Sequence, residues 1–126
     1  MIEGIDHVVL TVRDVERAAA FFARVLGMQV LTFGDNRTAL QAGRQKVNLQ
    51  VVGQESRNHA CIGSGDLCLE TSLPPGEVID RLTREGVAIH EGPVGRTGAR
   101  GPITSVYFND PDGNLIEVSS YAKTAS

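Results

Sequence analysis

Ile103-Thr104-Ser105-Val106-Tyr107-Phe108-Asn109 leads through Asp110-Pro111-Asp112-Gly113 into Asn114-Leu115-Ile116-Glu117-Val118-Ser119-Ser120. The outer segments are rich in β-branched and aromatic residues, and the middle one consists of turn formers. The stretch therefore predicts two antiparallel strands, joined at Asp112-Gly113 as a tight hairpin. The second strand carries Glu117 inside an apolar run, where an ionised carboxylate is costly unless something compensates it. Near the other end, Ile5-Asp6-His7-Val8-Val9-Leu10 sets a histidine in a similar apolar segment. A divalent cation bound by both groups would supply the compensation. The alternative is a partly exposed strand pair whose polar residues face solvent.

The chain also repeats itself. A shift of 59 positions lays Gly27 on Gly86, Val30 on Ile89 and His7 on Asp66. Asp14 caps a predicted helix from Val15 to Leu26, stopped by Gly27, with Ala18, Phe21, Phe22, Val25 and Leu26 on its apolar face. Pro74-Pro75-Gly76 opens a second helix through Val78, Ile79 and Leu82 that ends at Gly86. Three strands follow each glycine: Met28 to Phe33, Arg37 to Ala42 and Lys46 to Val52, then Val87 to Glu91, Ile103 to Asn109 and Asn114 to Ser120. The expected architecture is α+β, a single domain over 1–126 made of two strand–helix–three-strand modules. The first spans 1–52 and the second 66–121, with a polar linker at 53–65.

With 126 residues, 41% of them hydrophobic and 21% charged, the chain has ordinary globular composition and room for a core. Fifteen acidic against 12 basic side chains give a net charge of −3 with no basic run, which argues against nucleic acid as a partner. No apolar stretch reaches the length that crosses a bilayer, and the N-terminus lacks a signal-peptide pattern. Cys61 and Cys68 are too few and too close for a disulfide framework, so a cytoplasmic setting is expected.

Ile5-Asp6-His7-Val8, the Phe21-Phe22 helix ending at Leu26-Gly27-Met28, and Tyr107-Phe108-Asn109-Asp110-Pro111-Asp112-Gly113-Asn114-Leu115-Ile116-Glu117 together resemble the vicinal oxygen chelate (glyoxalase/bleomycin resistance/dioxygenase) superfamily. Glu91-Gly92-Pro93 and Arg96-Thr97-Gly98-Ala99 are similar to its glyoxalase-domain-5-like branch, which includes proteins labelled virulence proteins. The resemblance implies two βαβββ modules in a cupped mixed sheet around one divalent metal ion. His7 matches the first ligand position, Glu117 the last, and Asp66 stands where a second histidine is usual. The fourth position falls near Asn48 or Gln50, which share one face by strand alternation. A donor set of His7, Asp66 and Glu117 is hard and anionic; it favours Mn²⁺, Mg²⁺ or Fe²⁺ over Zn²⁺, with Ni²⁺ a further candidate.

Strand parity puts Ser105 and Tyr107 on one face, beside the strand of Glu117, and similar members use a serine and a tyrosine there to touch substrate. Cys68 shares the face of Asp66 and Glu70 and is expected to be a buried, inert thiol. The second module is longer by about ten residues, which are assigned to a glycine-rich lid over 92–102 whose Arg96 and Arg100 bind an anionic group. His59 and His90 are expected at the surface. The resemblance implies bidentate chelation of a small oxygenated, anionic metabolite by a glyoxalase-like lyase or isomerase. Glu117 and Asp66 would be catalytic, with Ser105, Tyr107, Arg96, Arg100, Asn48 and Gln50 binding substrate. The other functions it implies are an extradiol-type dioxygenase, a metal-free drug-binding protein of the bleomycin-resistance kind and, more narrowly, a fosfomycin transferase. Chains of this size in the superfamily are commonly homodimers with sites shared between subunits.

Overall fold

Asp14 starts the first helix as its sequence requires: it is extended at φ −140°, and its side chain accepts the backbone N–H of Arg17 at 3.0 Å. Gly27 stops the helix in the left-handed region at φ 66°, returning its N–H to the Ala23 carbonyl. Between them Ala18, Ala19, Phe22 and Val25 are buried at helical spacing. The structure, a computed structural model, describes residues 1–122. The elements are β1 (His7–Val12), α1 (Val15–Leu26), β2 (Val30–Phe33), β3 (Arg37–Ala42), β4 (Gln45–Val51), β5 (Asp66–Glu70), α2 (Pro75–Arg84), β6 (Ile89–Gly98), β7 (Gly101–Asn109) and β8 (Leu115–Tyr121).

Two units each carry one helix and one four-stranded mixed sheet. The first consists of Met1–Gly65 with Asp110–Asn114, and the second of Asp66–Asn109 with Leu115 onward. Strand order is β1-β4-β3-β2 in the first and β5-β8-β7-β6 in the second. In both, the opening strand runs parallel to the closing one, and the other pairs are antiparallel. This is the βαβββ module twice, as the repeat predicts. Leu10, Val12, Leu40, Val47 and Leu49 bury one sheet face under α1. In the second unit Val106, Phe108, Ile116 and Val118 do the same under Val78 and Leu82 of α2. Among the described residues no helix is long and apolar enough to cross a membrane.

Two expectations change. Residues 92–102 are not a lid loop: β6 continues to Gly98 and β7 begins at Gly101, with ladder pairs from Val94–Ser105 to Gly98–Gly101. Two of the glycines in this stretch, Gly92 and Gly98, serve close approach. A Cβ on Gly98 would lie 2.5 Å from the Tyr121 hydroxyl, and one on Gly92 would lie 2.6 Å from the Ser105 carbonyl oxygen. The β7–β8 connection is also not a two-residue hairpin turn, because pairing stops at Asn109–Leu115. Residues 110–114 wrap the Asp110 carboxylate instead. Its Oδ1 accepts from the backbone N–H groups of Asp112 (2.9 Å) and Asn114 (2.8 Å), and its Oδ2 accepts from the Asn114 amide (2.8 Å). Within the first unit the Arg13 N–H donates to Asp112 and the Gly65 N–H to Asn114.

Candidate functional site

Parity along β5, β7 and β8 gathers the polar residues of the second unit on the face opposite α2. Register pairs Cys68 with Glu117 and Glu117 with Tyr107, then Glu70 with Ser119 and Ser119 with Ser105. Ser105 and Ser119 are buried, and Glu117 is half-buried. The Ser105 hydroxyl donates to Glu117 Oε2 at 2.6 Å and lies 2.7 Å from the Ser119 hydroxyl. Ser119 approaches the same Oε2 at 3.2 Å. Both serines therefore converge on one carboxylate oxygen and leave Oε1 to other partners.

Tyr107, half-buried, accepts the Arg96 Nε–H at 3.1 Å. Desolvation pushes its phenol above the ordinary tyrosine range, Arg96 opposing and Glu117 reinforcing the shift. Arg96 also pairs with Glu91 at 3.1 Å, and Arg100 pairs with Glu70 while its guanidinium stacks 4.3 Å from the Tyr121 ring. Each guanidinium is thus already matched by a carboxylate, and Arg96 and Arg100 stand on strand and hairpin tip, not on a lid. Cys68 is exposed, not buried as expected. Its Sγ, turned 3.2 Å from Ser119, is desolvated enough to push the thiol up, and neighbouring carboxylates add to the shift. Asp66 is exposed two register pairs away, opposite Leu115.

The first unit presents the matching face. Register pairs His7 with Lys46, Val9 with Asn48 and Thr11 with Gln50. Val9–Asn48 corresponds to Cys68–Glu117, so Asn48 holds the place in its module that Glu117 holds in the other. Gln50 is committed to Thr11 Oγ1 at 3.1 Å. Asn48, only 4% exposed, has an Oδ1 that is buried without a hydrogen-bond partner. The structure thus separates two residues that parity leaves equivalent. His7 is exposed, and its Nδ1–H donates to Asp6 Oδ1 at 2.8 Å. His59 and His90 are exposed, as expected.

Imidazole, carboxylate and neutral amide oxygen are donor types that suit a hard divalent cation; the first unit carries His7 and Asn48, and the second carries Asp66 and Glu117. Among the described residues, however, no three His, Cys, Asp or Glu side chains of one chain form a group able to hold a metal ion.

The profile of the Glyoxalase/Bleomycin resistance protein/Dioxygenase superfamily matches residues 4–118. The chain belongs to that superfamily. It is 48% identical over 124 residues to a virulence protein of Salmonella typhimurium, covering 96% of this chain and 86% of the relative. It is 44% identical to a glyoxalase domain-containing protein of Mycosarcoma maydis, covering 95% of this chain and 69% of the relative. An integron cassette protein of V. cholerae superposes with a TM-score of 0.90 at 48% identity, covering 97% of this chain and 98% of the other. Within this superfamily member, sequence reasoning passed over Ser119, although it lies two positions from Glu117 and so shares its face. It also passed over Glu70 and Glu91 as partners of the two arginines: Glu70 lies on β5, 30 residues from Arg100, and Glu91 meets Arg96 on β6 itself, where the pairing with β7 is irregular.

Proposed function

We propose that the protein is a metal-dependent, glyoxalase-like lyase or isomerase acting on a small, oxygenated, anionic metabolite. The observation that carries this is the Glu117 carboxylate, held at Oε2 by Ser105 with Ser119 behind it, so that Oε1 keeps a fixed direction. His7, Asp66 and Glu117 would hold the ion, and Asn48, whose Oδ1 is buried without a partner, would offer a neutral oxygen to the ion or to substrate. A bound divalent cation would supply Lewis-acid stabilisation of negative charge on two adjacent substrate oxygens. Asp66, an exposed carboxylate opposite the apolar Leu115, is the group to move a proton at the carbon next to those oxygens. Tyr107, kept protonated by desolvation, donates to a substrate oxygen, and Arg96 fixes its hydroxyl.

Chains of this size in the superfamily are commonly homodimers with sites shared between subunits, so in this reading His7 comes from one protomer, and Asp66 and Glu117 from its partner. The first test is metal content by mass spectrometry of protein purified without chelator, beside Glu117→Ala. About one divalent ion per chain, absent from the variant, is the expected result. No bound ion, and no binding on addition of Mn²⁺, Fe²⁺, Ni²⁺ or Zn²⁺, would leave a metal-free binding protein instead. Oxygen uptake by the loaded enzyme in the presence of a catechol would replace the lyase with an extradiol-type dioxygenase.

A further inference from the structure

The two buried serines and Cys68 form a file of hydroxyl and thiol groups that ends on Glu117, which Ser119 also reaches directly at 3.2 Å. Cys68 Sγ lies 3.2 Å from Ser119 Oγ, Ser119 Oγ lies 2.7 Å from Ser105 Oγ, and Ser105 Oγ lies 2.6 Å from Glu117 Oε2. Ser105 donates to Glu117 Oε2, Ser119 reaches the same oxygen at 3.2 Å while meeting Ser105, and the Cys68 thiol can donate to Ser119, so each proton has an acceptor. Ser119 and Ser105 are 2% and 0% exposed, so water does not replace a missing member.

We propose that Ser119 is a positioning residue for Glu117: it orients Ser105 so that Oε2 stays occupied and Oε1 is presented to a divalent cation, with Cys68 as the outermost donor of the file. The proposal rests on Glu117 being a metal ligand. Outer partners of metal ligands typically change affinity by about 10- to 100-fold when removed.

The experiment is titration calorimetry with Mn²⁺ on the full chain, with thermal unfolding as a control. Ser119→Ala is expected to weaken Mn²⁺ binding by about tenfold and to lower the Tm of the metal-free protein, and Ser119→Thr, which keeps the hydroxyl, to recover most of the binding. Cys68→Ala should weaken binding less, and Cys68→Ser should bind as wild type. Loss of binding in Glu117→Ala together with wild-type affinity in Ser119→Ala overturns the role of Ser119 and leaves the metal site standing. Wild-type affinity in Glu117→Ala, or no binding by the wild type, removes the metal role of Glu117 and with it the file's purpose. Should Ser119→Ala fail to fold, the exposed Cys68 pair decides: equal affinity of Cys68→Ala and Cys68→Ser overturns the proposal.

Discussion

Asn48 shows at the scale of one side chain how a site conflicts with stability. Its Oδ1 is buried without a partner, and such an acceptor costs about 1–3 kcal/mol in a folded protein. An apolar residue of similar size would remove that cost, yet the strand keeps an amide where the sister module keeps Glu117. Asn48→Leu is therefore expected to raise the unfolding free energy by about 1 kcal/mol, read as a higher urea midpoint at unchanged m value. A lower midpoint would mean that the amide is satisfied in solution and serves the fold. Its position was legible in the sequence only as one of two. Parity allows Asn48 and Gln50 equally, and the contact that commits Gln50 comes from Thr11, 39 residues away.

At the scale of an element, the β7–β8 connection depends on one carboxylate. Asp110 is buried and accepts three hydrogen bonds, two of them from backbone N–H groups that would otherwise lack partners. Asp110→Ala is expected to destabilise the protein by about 3 kcal/mol, checked by urea unfolding, since hydrogen bonds to a charged group contribute about 1.5–3 kcal/mol each and the buried donors cannot find water. Little change would show that the turn is set by Pro111 and Gly113 alone. The turn itself is legible from Asp-Pro-Asp-Gly, whereas its length is not, because the pairing end at Asn109–Leu115 is decided by how Asp110 folds the backbone around itself. The hairpin of β6 and β7 carries the same lesson. Its glycines read as mobility in one dimension, and only the neighbours at Tyr121 and Ser105 show that Gly98 and Gly92 permit contact.

For the whole molecule, the division of the proposed ligands between units makes a prediction about assembly. His7 belongs to the first unit, and Asp66 and Glu117 belong to the second. If two protomers share each site, His7→Ala and Glu117→Ala chains, inactive and without metal as pure proteins, should recover about one intact site per mixed dimer after co-refolding, measured as bound Mn²⁺. Absence of recovery would place each site within one chain.

By itself the sequence determined the two helices, the repeated strand–helix–three-strand order and the face on which His7, Asp66, Glu117, Ser105 and Tyr107 stand. Those follow from local rules: a cap at Asp14, a stop at Gly27, and the alternation of side chains along a strand. Only the tertiary structure decided that Ser119 backs Ser105, that Arg96 and Arg100 are matched by Glu91 and Glu70, that the segment around them is strand, and that Asn48 and not Gln50 is left without a partner. Each of these depends on strand register, the meeting of residues distant in the chain. A shift of one residue would turn every such side chain to the other face, and no local pattern encodes which shift the packed sheet selects.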